Sequence, residues 1–251
     1  MFIKLFSMTC VRKCYSMKYL PLILRRHAAK KSYNQRYKDF IEPAFPKPPF
    51  NFICQIGDPV LRQRCDSVDE SLINTSGFQD LIAHLWKVHE AFSLAGLAAP
   101  QIGLPLQLVV IGFTETQCKE SNAKFVSPVL RRVLINPVYK VLDYKDKITD
   151  SEGCASVCGY SAQVSRYSHI QVEALNENGI KESWKASGFE ARTIQHEVDH
   201  LQGVVFVDKM EAKSLECSYW QHVKLHEGKG YIEFGPGKRG FLAKLYRKLG
   251  L

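Results

Sequence analysis

The apolar positions of this chain change period twice between residues 78 and 201. Phe78, Leu81, Ile82, Leu85 and Phe92 recur at helical spacing and predict an amphipathic helix over 78–93. Residues 106–113 and 132–142 are short runs rich in Val, Ile and Leu, and predict strands. Residues 163–174 and 180–186 are also strand-like, and the Asn178-Gly179 pair between them signals a hairpin. The helical period then returns in Ala191, Ile194, Val198 and Leu201, one apolar stripe. Ser187 and Glu190 have the S-x-x-E spacing of a capping box before that stripe, and Gly203 supplies a stop after it. One helix, several strands and a second helix predict an α+β fold, with antiparallel or mixed sheets around a central C-terminal helix.

Charge separates the chain into a body and two extensions. The formal charge is +9, but residues 1–38 carry ten Lys or Arg and no acid, leaving 24 basic against 25 acidic residues. The body is electrically ordinary, which argues against DNA as a partner. An acid-free basic start interleaved with Phe, Leu, Ile and Tyr is the composition of an organelle-targeting presequence, here of the mitochondrial matrix type. Pro43, Pro46, Pro48 and Pro49 mark a linker over 39–50, and the catalytic body is expected over 51–225. No apolar run reaches the ~20 residues of a transmembrane helix. Residues 226–251 form a basic extension in which Lys238, Arg239, Lys244, Arg247 and Lys248 alternate with Phe241, Leu242, Leu245 and Leu249. Contact of that extension with a mitochondrial ribosome is the functional expectation, a solvated end the bland one. The eight cysteines show no disulfide framework, and a matrix address would leave most as reduced, buried thiols.

The chemistry sits on the second helix, in the string His196-Glu197-Val198-Asp199-His200. Four residues apart, the imidazoles lie about 40° apart on one helix face, the geometry of a metal clamp. Glu197 lies where it can act as general acid/base toward a water activated by that metal. The apolar stripe is roughly opposite, so one face packs on a core while the other presents ligands. His84 and His89, five apart on the first helix, are expected to be ordinary surface or capping histidines. Two imidazoles leave a tetrahedral site incomplete. The astacin-like position for a third histidine is Phe206, and none of Asp208, Glu211 and Glu216 is marked out as a ligand. Upstream, Cys154 is flanked by Gly153 in Glu152-Gly153-Cys154-Ala155-Ser156, where a thiolate can approach a metal with little hindrance. Gly96-Leu97-Ala98-Ala99-Pro100-Gln101 is a small-residue loop that lets a substrate backbone come close, with Gln101 offering an uncharged donor.

The segments LAGLAAPQIG, EGCAS and QHEVDH, in this order, resemble the three signature motifs of the peptide deformylases, over roughly residues 51–215. With the basic N-terminus, the resemblance is greatest to the mitochondrial, animal-type branch. It implies removal of the formyl group from N-terminal formylmethionine of newly made proteins. By position, it implies metal ligation by Cys154, His196 and His200, acid/base catalysis by Glu197, and oxyanion stabilisation by Gln101 and the backbone N–H of Ala155. Ala95, Gly96 and Gly153 fall where the substrate backbone runs. The donor set permits Zn²⁺, Fe²⁺ or Co²⁺, and the resemblance favours Fe²⁺. It also implies nascent formylmethionyl peptides as partners and admits a homodimer.

Two positions depart from the bacterial pattern: Leu94 replaces a Gly, and Ala155 replaces a Leu. They motivate an alternative, a weakly active relative that binds nascent chains or ribosomes. A zinc metalloprotease is a further alternative, weakened by its missing third ligand.

Overall fold

The computed structural model describes residues 46–121 and 126–229, with 232, 234 and 235. The expected presequence, most of the linker and the basic stretch 236–251 lie outside the described residues. Among those described, no helix is long and apolar enough to cross a membrane.

Among the described residues, thirteen α-helices and β-strands build the body. Two helices come first, α1 (Glu70–Ile73) and α2 (Ser76–Phe92), then strands β1 (Gly96–Ala98) and β2 (Leu108–Phe113). A short α3 (Glu115–Ser121) precedes β3 (Val129–Val141), β4 (Lys147–Gly153), β5 (Tyr160–Tyr167), β6 (His169–Leu175) and β7 (Lys181–Ser187). The long α4 (Gly188–Leu201), β8 (Glu216–Cys217) and α5 (Trp220–Leu225) complete the order. A five-stranded sheet has the order β1-β2-β3-β6-β7 and a three-stranded sheet the order β4-β5-β8. Every strand pair is antiparallel. This resolves the expectation of antiparallel or mixed sheets to the first.

Helix α4 lies against the large sheet. Ala191, Ile194, Val198 and Leu201 are at most 5% exposed and share a core with Val109, Ile111, Leu134, Ile170 and Val172. Covering each of the three larger helix side chains contributes about 1.5–3 kcal/mol. The helix ends as the glycine predicts: Gly203 has φ +75°, its N–H donates to His200 O, and the Val204 N–H donates to Asp199 O. A Cβ at Gly203 would also lie 2.8 Å from the Arg62 backbone, so the stop doubles as a packing contact.

Four local expectations are corrected. The capping box does not form: Ser187 makes no side-chain cap bond, and Glu190 accepts instead from the Trp184 indole at 3.2 Å. Residues 163–174 are two strands in different sheets, divided at Ser168. Alternate residues from Ala162 to Ala174 are buried without a break, so the period of two runs straight through the corner and hides it. The corner is fixed by Asp146, whose carbonyl accepts the Ser168 N–H and whose carboxylate accepts its hydroxyl. The polar segment before Cys154, to which the sequence pattern assigns no element, is strand β4, whose only buried residue is Glu152. Finally, His89 is 4% exposed, with its ring against the edge of Trp86. His84 is half-buried and bonds to the Phe50 carbonyl.

Candidate active site

Strand β4 ends beside the face of α4 opposite its apolar stripe, and there Cys154 meets the two histidines. The ligand atoms of Cys154, His196 and His200 all lie within 4.8 Å of one another. Cys154 Sγ is 3.2 Å from His200 Nε2, and the imidazole rings stand 4.9 Å apart at 83°. One thiolate and two imidazoles converging on one point is a donor set that could hold a metal ion and leave a further position open. Burial alone would raise the Cys154 pKa, but the His200 and His196 imidazoles outweigh it and hold the thiol well below its ordinary range. Cys54 and Cys65 lack such neighbours: burial pushes both up to about 12, and it raises Cys158 as well. Of the downstream acids, Asp208 pairs with Arg62, Glu211 bonds to Thr149 and Glu216 to Ser161. All three acids are engaged away from the cluster.

The histidine His196 is oriented from behind. Its Nδ1 contacts Glu152 Oε1 at 2.5 Å, which turns Nε2 toward the cluster. Glu152 also accepts from Arg166 (2.6 and 3.1 Å) and Arg192 (3.0 Å). Arg166 in turn pairs with Asp199 at 2.5 Å, and Asp199 with Lys209 at 2.6 Å. Although burial disfavours its charge, His196 and Arg166 hold the Glu152 carboxyl well below the usual carboxylate range. This chain of buried ions was missed from sequence. Its one signal was Arg166, a charge at an inward position of an alternating strand.

Glu197 is 3% exposed, and its Oε2 has no hydrogen-bond partner. Burial pushes its pKa up to about 7, against the opposing pull of His196 and His200. A carboxyl titrating near neutrality can both take and return a proton. It lies directly over Gly96, where an added Cβ would fall 2.5 Å from Glu197 Oε1. Gln101, 2% exposed, accepts from the Ala98 N–H at 2.9 Å through Oε1. Its Nε2 therefore faces Ser156 Oγ (3.2 Å) and Cys154 Sγ (3.6 Å). Ala155 is the first residue of a 3₁₀ turn over Ala155–Val157, where an N–H has no intrahelical partner.

These residues line one cleft of about 180 Å³, open to solvent. Leu94, Ala95, Gly96 and Gln101 form one wall, Gly153, Cys154 and Ala155 the other, with His196 and Glu197 at the base. His200 lies beneath, 1% exposed. The structure thus gathers every residue singled out from the sequence for ligand, acid/base, donor or backbone roles. It separates His84 and His89, on α2, from the cluster.

Residues 51–216 match the family model described as polypeptide deformylase. The chain belongs to the polypeptide deformylase family. Among its relatives, the mitochondrial peptide deformylase of Homo sapiens is 39% identical over 183 residues, covering 71% of this chain and 75% of that one. The chloroplastic/mitochondrial peptide deformylase 1A of Arabidopsis thaliana is 38% identical, covering 72% and 68%. The crystal structure of the Synechococcus elongatus peptide deformylase in complex with actinonin superposes with a TM-score of 0.56 at 35% identity, covering 66% of this chain and 81% of that one. As a peptide deformylase, the chain is a metal-dependent hydrolase of the formyl amide at an N-terminal formylmethionine.

Proposed function

We propose that Cys154, His196 and His200 hold the metal of this deformylase, Fe²⁺ in the native protein, and that Glu197, Gln101 and the Ala155 N–H carry the reaction. The observation that supports this most is the convergence of the three ligand atoms beside a buried carboxylate with a free oxygen. When bound, the metal supplies a Lewis acid that makes a water acidic enough to react near neutral pH. Glu197 takes the proton of that water as it attacks the formyl carbon. Gln101 Nε2 and the Ala155 N–H receive the negative charge that develops on the formyl oxygen. Glu197 then returns the proton to the departing methionine nitrogen, which leaves formate and a free amine.

The substrate backbone is assigned to the slot between Ala95–Gly96 and Gly153. Strand β1 is an edge strand of the large sheet, β4 an edge strand of the small one, and the end of each lines the cleft. An extended peptide can pair with such edges. Ala155 offers its N–H as a Leu would, so its departure bears on apolar contact with the substrate rather than on the reaction.

The family names of the human and plant relatives support an organellar address, and we assign the mitochondrial matrix on the acid-free basic N-terminus. Docking of residues 226–251 on the mitochondrial ribosome, and a homodimer, extend the proposal. Unchanged co-sedimentation with ribosomes after deletion of 236–251 counts against the first, and a monomeric mass in solution against the second.

The test of the whole reading is formate release from formyl-Met-Ala-Ser by anaerobically purified protein loaded with Fe²⁺ or Co²⁺. Absence of release overturns it, and cleavage of internal peptide bonds would support the protease instead. Cys154→Ser should lower the metal content measured on the purified protein; full occupancy in that variant would remove Cys154 from the ligand set.

A further inference from the structure

The two oxyanion donors come from different parts of the chain, yet one segment holds both. Residues 50–56 run between the Gln101 turn and the Ala155 turn. On one side, the Phe50 N–H donates to Ile102 O (3.0 Å) and the Cys54 N–H to Gln101 O (2.8 Å). On the other, the Ile56 N–H donates to Ser156 O at 2.7 Å. Between them, the half-buried Gln55 turns its side chain onto the Ala155 turn. Its Nε2 donates to Ala155 O at 2.8 Å and to Ile53 O at 3.1 Å, and its Oε1 accepts the Cys158 N–H at 3.2 Å.

Taken together, these bonds occupy the Ala155 and Ser156 carbonyls and the Cys158 N–H. The Ala155 N–H shares its peptide plane with the Cys154 carbonyl, which accepts the Val157 N–H at 2.9 Å across the turn. A peptide N–H stabilises a developing oxyanion only if its direction is set before the charge appears. By holding the Ala155 carbonyl and the Cys158 N–H, at the two ends of the turn, Gln55 keeps in place the turn whose internal bond fixes that plane. The side chain Leu present in the bacterial pattern is absent at Ala155, so packing by that side chain cannot do this work.

We infer that Gln55 is a positioning residue for deformylation: its carboxamide aims the Ala155 N–H at the formyl oxygen by clamping the turn from behind. This rests on the assignment of that N–H as an oxyanion donor. Removing a donor outright costs about 10²–10³ in kcat. Loosening one costs less, about tenfold.

The experiment compares metal-loaded wild type with Gln55→Ala, Gln55→Glu and Gln101→Ala. Formate release gives kcat and KM, and calorimetry gives affinity for the product Met-Ala-Ser, which has no formyl oxygen. Gln55→Ala should lower kcat about tenfold, with KM and Met-Ala-Ser affinity within twofold and metal content unchanged. Gln55→Glu keeps the acceptor for Cys158 but loses the donor for Ala155, and should fall at least as far. Wild-type kcat in Gln55→Ala, alongside a large loss in Gln101→Ala, would overturn the inference while leaving the oxyanion assignment standing. No formate release by the metal-loaded wild type would overturn the proposed function and this inference with it. Parallel loss of kcat, product affinity and metal in Gln55→Ala would make Gln55 merely structural.

Discussion

Gly96 is constrained by what lies over it rather than by its backbone. The nearest atoms to an added Cβ belong to the Glu197 side chain, at 2.5–2.8 Å, so even alanine must push the carboxylate aside. A shift of about 1 Å in a reacting group can cost about 10²-fold in rate. Gly96→Ala should therefore lower kcat by about that factor while metal analysis shows normal occupancy; unchanged kcat would mean the carboxylate position is not critical. Glu197→Gln removes the proton acceptor but keeps the shape, and should retain metal while losing at least about 10²-fold in turnover. Retained wild-type turnover in that variant would rule out Glu197 as the proton carrier. Much of this was legible in the residues themselves. His196 and His200 were one turn apart, Cys154 stood beside glycine, and Gln101 followed a run of small residues. Glu152 was less legible: it stood in a recognised segment, but only the fold shows its contact with His196.

At the scale of elements, α4 combines two requirements that its sequence already separates. One face is alanine and branched aliphatics against the sheet; the other carries the imidazoles. The boundaries of β5 and β6 were not legible, because the alternation of buried positions passes unbroken through Ser168. Strand β4 was hidden for the opposite reason. Its sequence, KITDSEG, is polar, and it is held by pairing along β5 from Lys147↔Tyr167 to Gly153↔Ser161 rather than by an apolar face. What ties β4, β5 and α4 together is Arg166, 4% exposed, between Glu152 and Asp199. Removing one partner of such a buried network leaves uncompensated charge and costs about 3–5 kcal/mol. Arg166→Leu should lose stability of that order in urea unfolding of the metal-loaded protein; a loss below about 1 kcal/mol would show that the acids find other partners.

At the scale of the molecule, the burial of His89 makes stability depend on pH. Burial lowers its pKa from 6.5 to about 4 in the folded state. Above pH 6.5 the imidazole is neutral in both states and contributes nothing. Between 6.5 and about 4 the unfolded chain takes up the proton more readily, so stability falls as pH drops, by about 1.4 kcal/mol per unit. From pH 7 to pH 5, wild type should lose about 2 kcal/mol more than His89→Leu in urea titrations. Equal losses would argue against a buried neutral imidazole.

The divide among the thiols has a use outside catalysis. Burial raises Cys54, Cys65 and Cys158 above the ordinary thiol range, while the His200 and His196 imidazoles hold Cys154, in the open cleft, well below it. Alkylating reagents attack the thiolate form. A metal ion held by Cys154, as proposed, would take up its sulfur lone pair and shield it. The rate of alkylation at Cys154, read by peptide mass against those three, thus becomes a gauge of how many molecules in a preparation carry their ion, independent of any turnover assay.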